Sequence, residues 1–141
     1  NSGSAYLFDV ATGNELDKLT ASDAESGDAF GDSVAISGNR AIVGAFSNDD
    51  AGTNSGSAYL FDVATGNELN KLTASDAARE DSFGISVAIG GNTLIVGAFR
   101  DDDAGVNSGS AYLFAVPEPS TLILLGMGSL GLLAYGWRRR R

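Results

Sequence analysis

The strongest constraint on this chain is a tandem repeat. The segment NSGSAYLFDVATGNEL occupies residues 1–16 and recurs letter for letter at residues 54–69. Its first eight residues return at residues 107–114, so the copies start at positions 1, 54 and 107 with a period of 53 residues. Between the first two copies, 41 of the 53 aligned positions are identical. A fixed period of this length predicts a repeat architecture in which each unit buries its apolar surface against its neighbours.

Each full copy contains four short segments with the composition of β-strands. They are rich in aromatic and β-branched residues and are bounded by Gly, Asn, Asp and Ser, as expected for strands joined by turns. No helical period occurs before residue 121. The predicted strands are Ser4–Val10, Glu15–Ala21, Phe30–Ile36, Arg40–Phe46, Ser57–Val63, Glu68–Ala74, Phe83–Ile89, Thr93–Phe99 and Ser110–Val116.

The alternation of side chains within these strands predicts how the sheets stack. In residues 58–61 (AYLF) and 95–99 (IVGAF), both faces of the strand are apolar. An antiparallel sheet usually has one face in water, so two dry faces indicate a sheet with other sheets on both sides. Residues 68–74, in contrast, mix charged, polar and apolar side chains, which predicts an outer, half-exposed strand.

Four-stranded units with dry inner strands and a wetter outer strand are typical of β-propeller blades, and the period matches one such blade. The expected fold is therefore all-β, a partial β-propeller of about two antiparallel four-stranded blades over residues 1–115. A two-sheet sandwich is the alternative. Rings close with about four to eight blades, so the chain is expected either to be a fragment or to depend on neighbours. It starts in phase with the repeat and without methionine, which we interpret as the C-terminal part of a longer protein.

A short motif recurs at fixed positions in each copy. Phe-Gly at residues 30–31 is followed by Val-Gly-Ala at residues 43–45, and the same pair of motifs stands at residues 83–84 and 96–98. In order and spacing they resemble the FG-GAP repeat of integrin-type β-propellers, although Phe46 and Phe99 stand where that motif usually ends in proline. The resemblance covers about residues 1–115 and implies blades that act in adhesion or binding.

The C-terminal segment has a different character. Residues 116–120 (VPEPS) break the strand pattern, because proline cannot donate to a ladder. The 17 uncharged residues 121–137 would form a helix of about 26 Å, close to the ~30 Å hydrocarbon core. A buried core helix is the alternative, but no amphipathic period is present. We expect a single transmembrane helix over residues 121–141, with the repeats outside the cytoplasm and a cytoplasmic stop formed by Arg138, Arg139, Arg140 and Arg141.

The order of features in this segment resembles a PEP-CTERM sorting signal of Gram-negative bacteria. Pro117, Glu118 and Pro119 precede one apolar span and a terminal arginine cluster. The resemblance implies export, transient tethering in the inner membrane and processing by an exosortase-type enzyme near the Pro-Glu-Pro motif. The protein would then reach the cell surface or the extracellular matrix.

Two acidic loops at residues 48–54 and 101–107 are the candidate metal sites, because calcium prefers carboxylate and amide oxygens. In integrin-type blades the calcium loop joins the Phe-Gly strand to the Gly-Ala strand. Here only three residues join those strands, so that loop is missing, and a solvated acidic turn is the alternative. A second pair of acidic loops, residues 23–28 and 76–81, is expected only to shape turns. The candidate calcium ligands are Asp49, Asp50, Asn54, Asp101, Asp102, Asp103 and Asn107.

Composition excludes several classes of function. Cysteine and histidine are absent, which removes disulfides, thiolate zinc sites, cysteine nucleophiles and histidine-dependent triads. The net charge is −9, and four of the nine basic residues stand at the extreme C-terminus, which argues against a nucleic-acid partner. The acidic residues recur in equivalent positions, whereas an active site needs distinct environments. We therefore expect a protein that is not an enzyme.

The expected function is that of an exported surface or extracellular-matrix protein whose repeats adhere to a polysaccharide or to another protein. Rigid sheets would present loops that are free to vary. Two alternatives remain open at this point, a purely structural matrix scaffold and an accessory module of a larger exported hydrolase.

Overall fold

The computed structural model describes residues 1–116, and every regular element in that part of the chain is a β-strand. The prediction of an all-β protein is confirmed there. Within residues 1–116 no helix is long and apolar enough to cross a bilayer. The transmembrane helix predicted at residues 121–141 lies outside the described residues. The strands are β1 (Ala5–Phe8), β2 (Glu15–Leu19), β3 (Ser33–Ser37), β4 (Arg40–Ala45), β5 (Ser57–Asp62), β6 (Glu68–Leu72), β7 (Ser86–Gly90), β8 (Thr93–Ala98) and β9 (Ser110–Ala115).

The strands form three antiparallel sheets. The N-terminal sheet contains β1 and β2, the middle sheet contains β3 to β6 in sequence order, and the C-terminal sheet contains β7 to β9. With a period of 53 residues, β1, β5 and β9 are equivalent strands, and so are β2 and β6. The C-terminal sheet therefore has the first three strands of the middle sheet, and the N-terminal sheet has the last two.

The middle sheet is buried on both faces, as residues 58–61 predicted. Tyr59 and Phe61 of β5 are 0% and 2% exposed and belong to a core shared with the N-terminal sheet. Leu60, which points to the opposite face, is 3% exposed and belongs to a second core shared with the C-terminal sheet. The middle sheet thus lies between two others, because alternate side chains of the same strands enter different cores.

The prediction that residues 95–99 are buried on both faces is wrong. Val96 in β8 is completely buried, but Ile95 and Phe99 are 40% and 52% exposed. Among residues 1–116, the C-terminal sheet packs against another sheet on only one face. Ile42, the equivalent of Ile95 one repeat earlier, is completely buried because the C-terminal sheet covers it.

The Phe-Gly motif lies before a strand, and the prediction that Phe83 starts that strand is wrong. Strand β7 begins at Ser86, because Gly84 adopts a φ of 96° that interrupts the extended chain. A Cβ atom at Gly84 would lie 2.3 Å from the carbonyl oxygen of Ser57, so this close approach also requires glycine. Phe83 forms a parallel bridge with Gly56 in the loop before β5. The first copy deviates from its prediction in the same way, with Phe30 bridged to Gly3 and β3 starting at Ser33.

The Val-Gly-Ala motif allows the middle and C-terminal sheets to touch through their backbones. The Ser33 Oγ atom donates a hydrogen bond to the carbonyl oxygen of Gly84 at 2.6 Å. A Cβ atom on Gly44 would lie 2.0 Å from that same oxygen. Glycine at position 44 is therefore a packing requirement between the two sheets.

Candidate cation-binding sites

The acidic loop after β4 is held together by its own polar side chains. Asn48 is buried, and its Oδ1 accepts hydrogen bonds from the Ser57 hydroxyl at 2.8 Å and from the Asp50 amide at 3.2 Å. Asp49 Oδ1 accepts a hydrogen bond from the Asn54 amide at 2.7 Å. Asp49 therefore closes the loop, as aspartates do in turns of this kind.

Four side chains meet where this loop approaches β6, and we call them the first cluster: Asp23, Asp50, Tyr59 and Lys71. The Lys71 ammonium donates to Asp23 Oδ2 at 2.5 Å and also to Asp50 Oδ2. The Tyr59 hydroxyl donates to the other Asp23 oxygen at 2.8 Å, and the Lys71 Nζ atom lies 5.5 Å from the Tyr59 ring centroid. The cluster thus encloses a cation that belongs to the protein itself.

The ionisation of the first cluster reflects this pairing. Burial alone would lower the pKa of Lys71, but its hydrogen bonds with Asp23 and Asp50 outweigh burial and raise that pKa. Burial would raise the pKa of Asp23, and its hydrogen bonds with Lys71 and Tyr59 instead lower it. Burial and the bond to Asp23 raise the pKa of Tyr59. At neutral pH the ammonium and the Asp23 carboxylate are therefore both charged.

One repeat later, the equivalents of Asp23, Asp50 and Tyr59 form the second cluster together with the aspartate that replaces Asn48. Its members are Asp76, Asp101, Asp103 and Tyr112. The Tyr112 hydroxyl lies 2.7 Å from Asp76 Oδ1 and 3.0 Å from Asp101 Oδ2. Asp101 is buried, and its other oxygen accepts from the Asp103 amide at 3.0 Å and from the Ser110 hydroxyl at 2.9 Å. One carboxylate oxygen from each of the three aspartates lies within 4.8 Å of the others. No lysine among residues 1–116 reaches this cluster.

In the second cluster, which has no lysine, the carboxylates of three aspartates lie close together. The pKa of Asp103 rises to about 6, because Asp103 shares a hydrogen bond with Asp76 and faces the negative charges of Asp101 and Asp76. The bond from Asp103, together with that from Tyr112, lowers the pKa of Asp76. The two carboxyls thus hold one proton between them in weakly acidic solution, as close carboxylate pairs do.

The structure distributes the predicted calcium ligands over different tasks. Asp101 and Asp103 come together, whereas Asp102 closes its loop by accepting a hydrogen bond from the Asn107 amide. Asp50 pairs with Lys71, and Asn54 donates a side-chain hydrogen bond to Glu80 at 3.3 Å.

Sequence reasoning missed Asp76 as a member of the cluster and assigned it to a turn. The two copies contain a signal for this residue: Asp23 and Asp76 are equivalent and identical, while positions 25–27 nearby become Ala-Arg-Glu at 78–80. Sequence reasoning also missed that Lys71 pairs with Asp23, because the two residues are 48 positions apart in the chain.

Asp76, Asp101 and Asp103 would supply three of the about six to eight oxygens that calcium takes, so calcium binding at the predicted ligands stays a prediction. In the first cluster the Lys71 ammonium occupies the place between the carboxylates. In the second cluster both Asp101 oxygens already accept hydrogen bonds from protein groups. An ammonium group, which donates three hydrogen bonds to separate acceptors, also fits this arrangement.

Comparison with known families agrees with both sequence resemblances. The family model of the FG-GAP repeat matches residues 14–61 and again residues 67–114. The model of the PEP-CTERM protein-sorting motif matches residues 115–141. No curated protein matches the chain. The sorting motif indicates an exported, cell-surface protein that is processed by an exosortase-type enzyme. The chain therefore belongs to the FG-GAP repeat family and carries a PEP-CTERM protein-sorting motif over residues 115–141.

Proposed function

We propose that this exported surface protein is not an enzyme and that its repeats bind a polysaccharide or protein ligand through the loops at one edge of the sheets. In this proposal residues 1–115 form propeller blades, residues 116–120 a linker, and residues 121–141 a membrane helix that tethers the protein before processing.

Loops from different parts of the chain gather at the edge in question, which we call the loop edge and define as residues 47–54, 78–82 and 100–107. The Glu80 amide donates to the carbonyl oxygen of Thr53 at 2.8 Å, and the side chain of Asn54 reaches the Glu80 carboxylate. Arg79 and Arg100 approach the same carboxylate at 3.6 and 4.0 Å. The loop edge therefore forms a continuous polar surface.

The proposal rests on the positions at which the amino-acid sequences of the two copies differ. Ser26, Gly27 and Ser47 of the first copy become Arg79, Glu80 and Arg100 in the second, where both arginines are exposed and Glu80 is half-buried. The aromatic residues of the cores are the same in both copies. A constant frame with differing exposed loops is typical of binding surfaces, since loop changes cost little stability and alter contacts.

The test compares the full chain, held in detergent micelles, with a variant in which Arg79→Ser, Glu80→Gly and Arg100→Ser restore the residues of the first copy. Binding is measured on a glycan array and on immobilised exopolysaccharide. We expect the wild-type chain to be retained and the triple variant to lose most of that retention. Thr65→Ala, on the turn between β5 and β6, is the matched control and should bind as the wild type does.

Retention of the triple variant at the wild-type level would contradict the assignment to the loop edge. Absence of retention for every chain on every surface would contradict binding to a polysaccharide and would favour the structural scaffold over a polysaccharide-binding surface.

A further inference from the structure

Within residues 1–116, two outer faces of the stacked sheets are apolar and exposed. On the C-terminal sheet, Ile95 and Leu113 are 40% and 71% exposed, while their equivalents in the middle sheet, Ile42 and Leu60, are 0% and 3% exposed. At the other end, Val34 and Ile36 of β3 are 60% and 57% exposed. The equivalents of these two in β7, Val87 and Ile89, pack against the core between the middle and C-terminal sheets.

The interface inside the chain shows what would cover these faces. Ile42 and Leu60 on the middle sheet share one core with Val87 and Ile89 on the C-terminal sheet. The C-terminal face repeats the first pair of residues as Ile95 and Leu113, and β3 repeats the second pair. The two exposed faces of one molecule are therefore complementary to each other in the way that the buried interface already is.

The charged residues at the two ends are complementary as well. Lys18 of β2 is the equivalent of Lys71, and its Nζ atom lies 5.7 Å from the Tyr6 ring centroid, as Lys71 lies over Tyr59. Among residues 1–116, Lys18 takes part in no salt bridge. The second cluster has the opposite imbalance, with three aspartates and no lysine. One end of the molecule thus has the cation that the other end lacks.

Strand β9 has an edge at which a strand of a second copy could pair. In the middle sheet β6 lies beside β5, with Lys71 opposite Tyr59 and Asn70 opposite Leu60. Strand β9 repeats the sequence Ser-Ala-Tyr-Leu-Phe of β5 and, within residues 1–116, pairs only with β8. An open strand edge of this kind is a template for pairing with another chain.

We propose that copies of this chain join head to tail, with β2 of one copy pairing with β9 of the next. The displacement that places β2 beside β9 also places Lys18 in the second cluster and covers Ile95 and Leu113 with Val34 and Ile36. β9 takes the place of β1, whose Ala-Tyr-Leu-Phe sequence is identical. Exchange of identical strands is a low-cost route to association, and a head-to-tail interface produces rings or filaments. This proposal does not depend on ligand binding at the loop edge.

The experiment uses cysteine cross-linking, because the chain contains no cysteine of its own. One variant carries Leu113→Cys and the other Asp17→Cys. Their equivalents, Leu60 and Asn70, are directly opposite each other in the middle sheet, and Cα atoms of such pairs lie about 4.5–5.5 Å apart, within disulfide reach. We expect the mixed full-length variants to form a disulfide-linked dimer under mild oxidation. Val10→Cys, which is fully exposed at the turn after β1, replaces Asp17→Cys in the matched control and should not cross-link.

Charge reversal tests the role of the second cluster. Adding Lys18→Glu to the Asp17→Cys variant should lower the cross-linked yield about tenfold, because a like charge then faces the carboxylates. Adding Asp103→Lys to the Leu113→Cys variant should restore the yield. Equal cross-linking by the Val10→Cys control or no response to Lys18→Glu would each overturn the proposal.

Discussion

The first and second clusters share three equivalent positions and differ in two groups, because the second has no lysine and has Asp101 where the first copy has Asn48. In the first, the Lys71 ammonium lies between Asp23 and Asp50, and the pKa of Asp23 falls below its ordinary value. In the second, no lysine of the described chain is present, and the pKa of Asp103 rises to about 6. Two equivalent aspartates therefore pair with a lysine in one repeat, whereas in the next they lie beside a third aspartate and no lysine.

One source of the difference, the missing lysine, lies outside the acidic loops. Lys71 belongs to β6, the fourth strand of the middle sheet, and the C-terminal sheet has no fourth strand among residues 1–116. The apolar faces show the same dependence, since Ile42 is covered and Ile95 is exposed. A single repeat of this family is therefore not self-sufficient. Its charges and its apolar faces are both completed by the neighbouring unit, as expected for repeat proteins.

The largest effect on stability should come from substituting Gly44, which another sheet encloses, whereas the equivalent Gly97 is more open. We expect Gly44→Ala to lower the free energy of unfolding by about 2–3 kcal/mol, since its Cβ would overlap the Gly84 backbone. Gly97→Ala, at the equivalent position, meets only the Ser86 side chain and should cost less than about 1 kcal/mol. Urea unfolding of the two full-length variants measures the difference. Equal losses would show that the C-terminal sheet is as enclosed as the middle sheet.

A smaller effect should follow from making the first cluster resemble the second. We expect Lys71→Met to lower the free energy of unfolding by about 1–2 kcal/mol, because two carboxylates lose a charged hydrogen-bond donor that is largely shielded from water. The pKa of Asp23 should rise at the same time. Denaturant midpoints and a carboxyl titration by NMR measure the two effects. Lys18→Met is the matched control in dilute protein, and a loss as large as that of Lys71→Met would contradict the comparison.

The smallest effect should be a pH dependence that belongs to the second cluster alone. The folded-state pKa of Asp103 is about 6, above the ordinary value of 3.8, and burial raises that of Asp81 nearby. The folded chain then holds protons that the unfolded chain has released, so stability should fall as the pH rises from about 4 to about 6. The lowered pKa values of Asp76 and Asp101 act only below 3.8, where stability is lost as the pH falls.

Thermal melting across this range, with NMR titration of Asp103, checks the sign. The variant Asp101→Asn copies Asn48 of the first copy, removes one of the facing charges and should bring the pKa of Asp103 down. Titration of Asp103 near pH 4 in the unmodified chain would remove the distinction between the clusters.

Much of the fold could be predicted because the relevant signals are local. Alternating apolar residues and turn residues identified all nine strands, and the two dry faces of residues 58–61 predicted a covered middle sheet, which the burial of Tyr59 and Phe61 confirms. The start of β7 could not be predicted, because the φ of Gly84 depends on the approach of Ser57 from another strand. The exposure of Ile95 could not be predicted either, since its sequence context is that of the buried Ile42.

The sequence by itself determined the repeat, the strand order, the family and the sorting motif, because periodicity and short motifs are properties of neighbouring residues. Only the tertiary structure decided which carboxylates act together and what neutralises them. Lys71 is 48 residues from Asp23 and 21 from Asp50, and strand pairing brings the three together. One repeat later, the equivalent Asp76 and Asp103 lack that strand among residues 1–116 and lie beside Asp101, and for both reasons the pKa of Asp103 is raised.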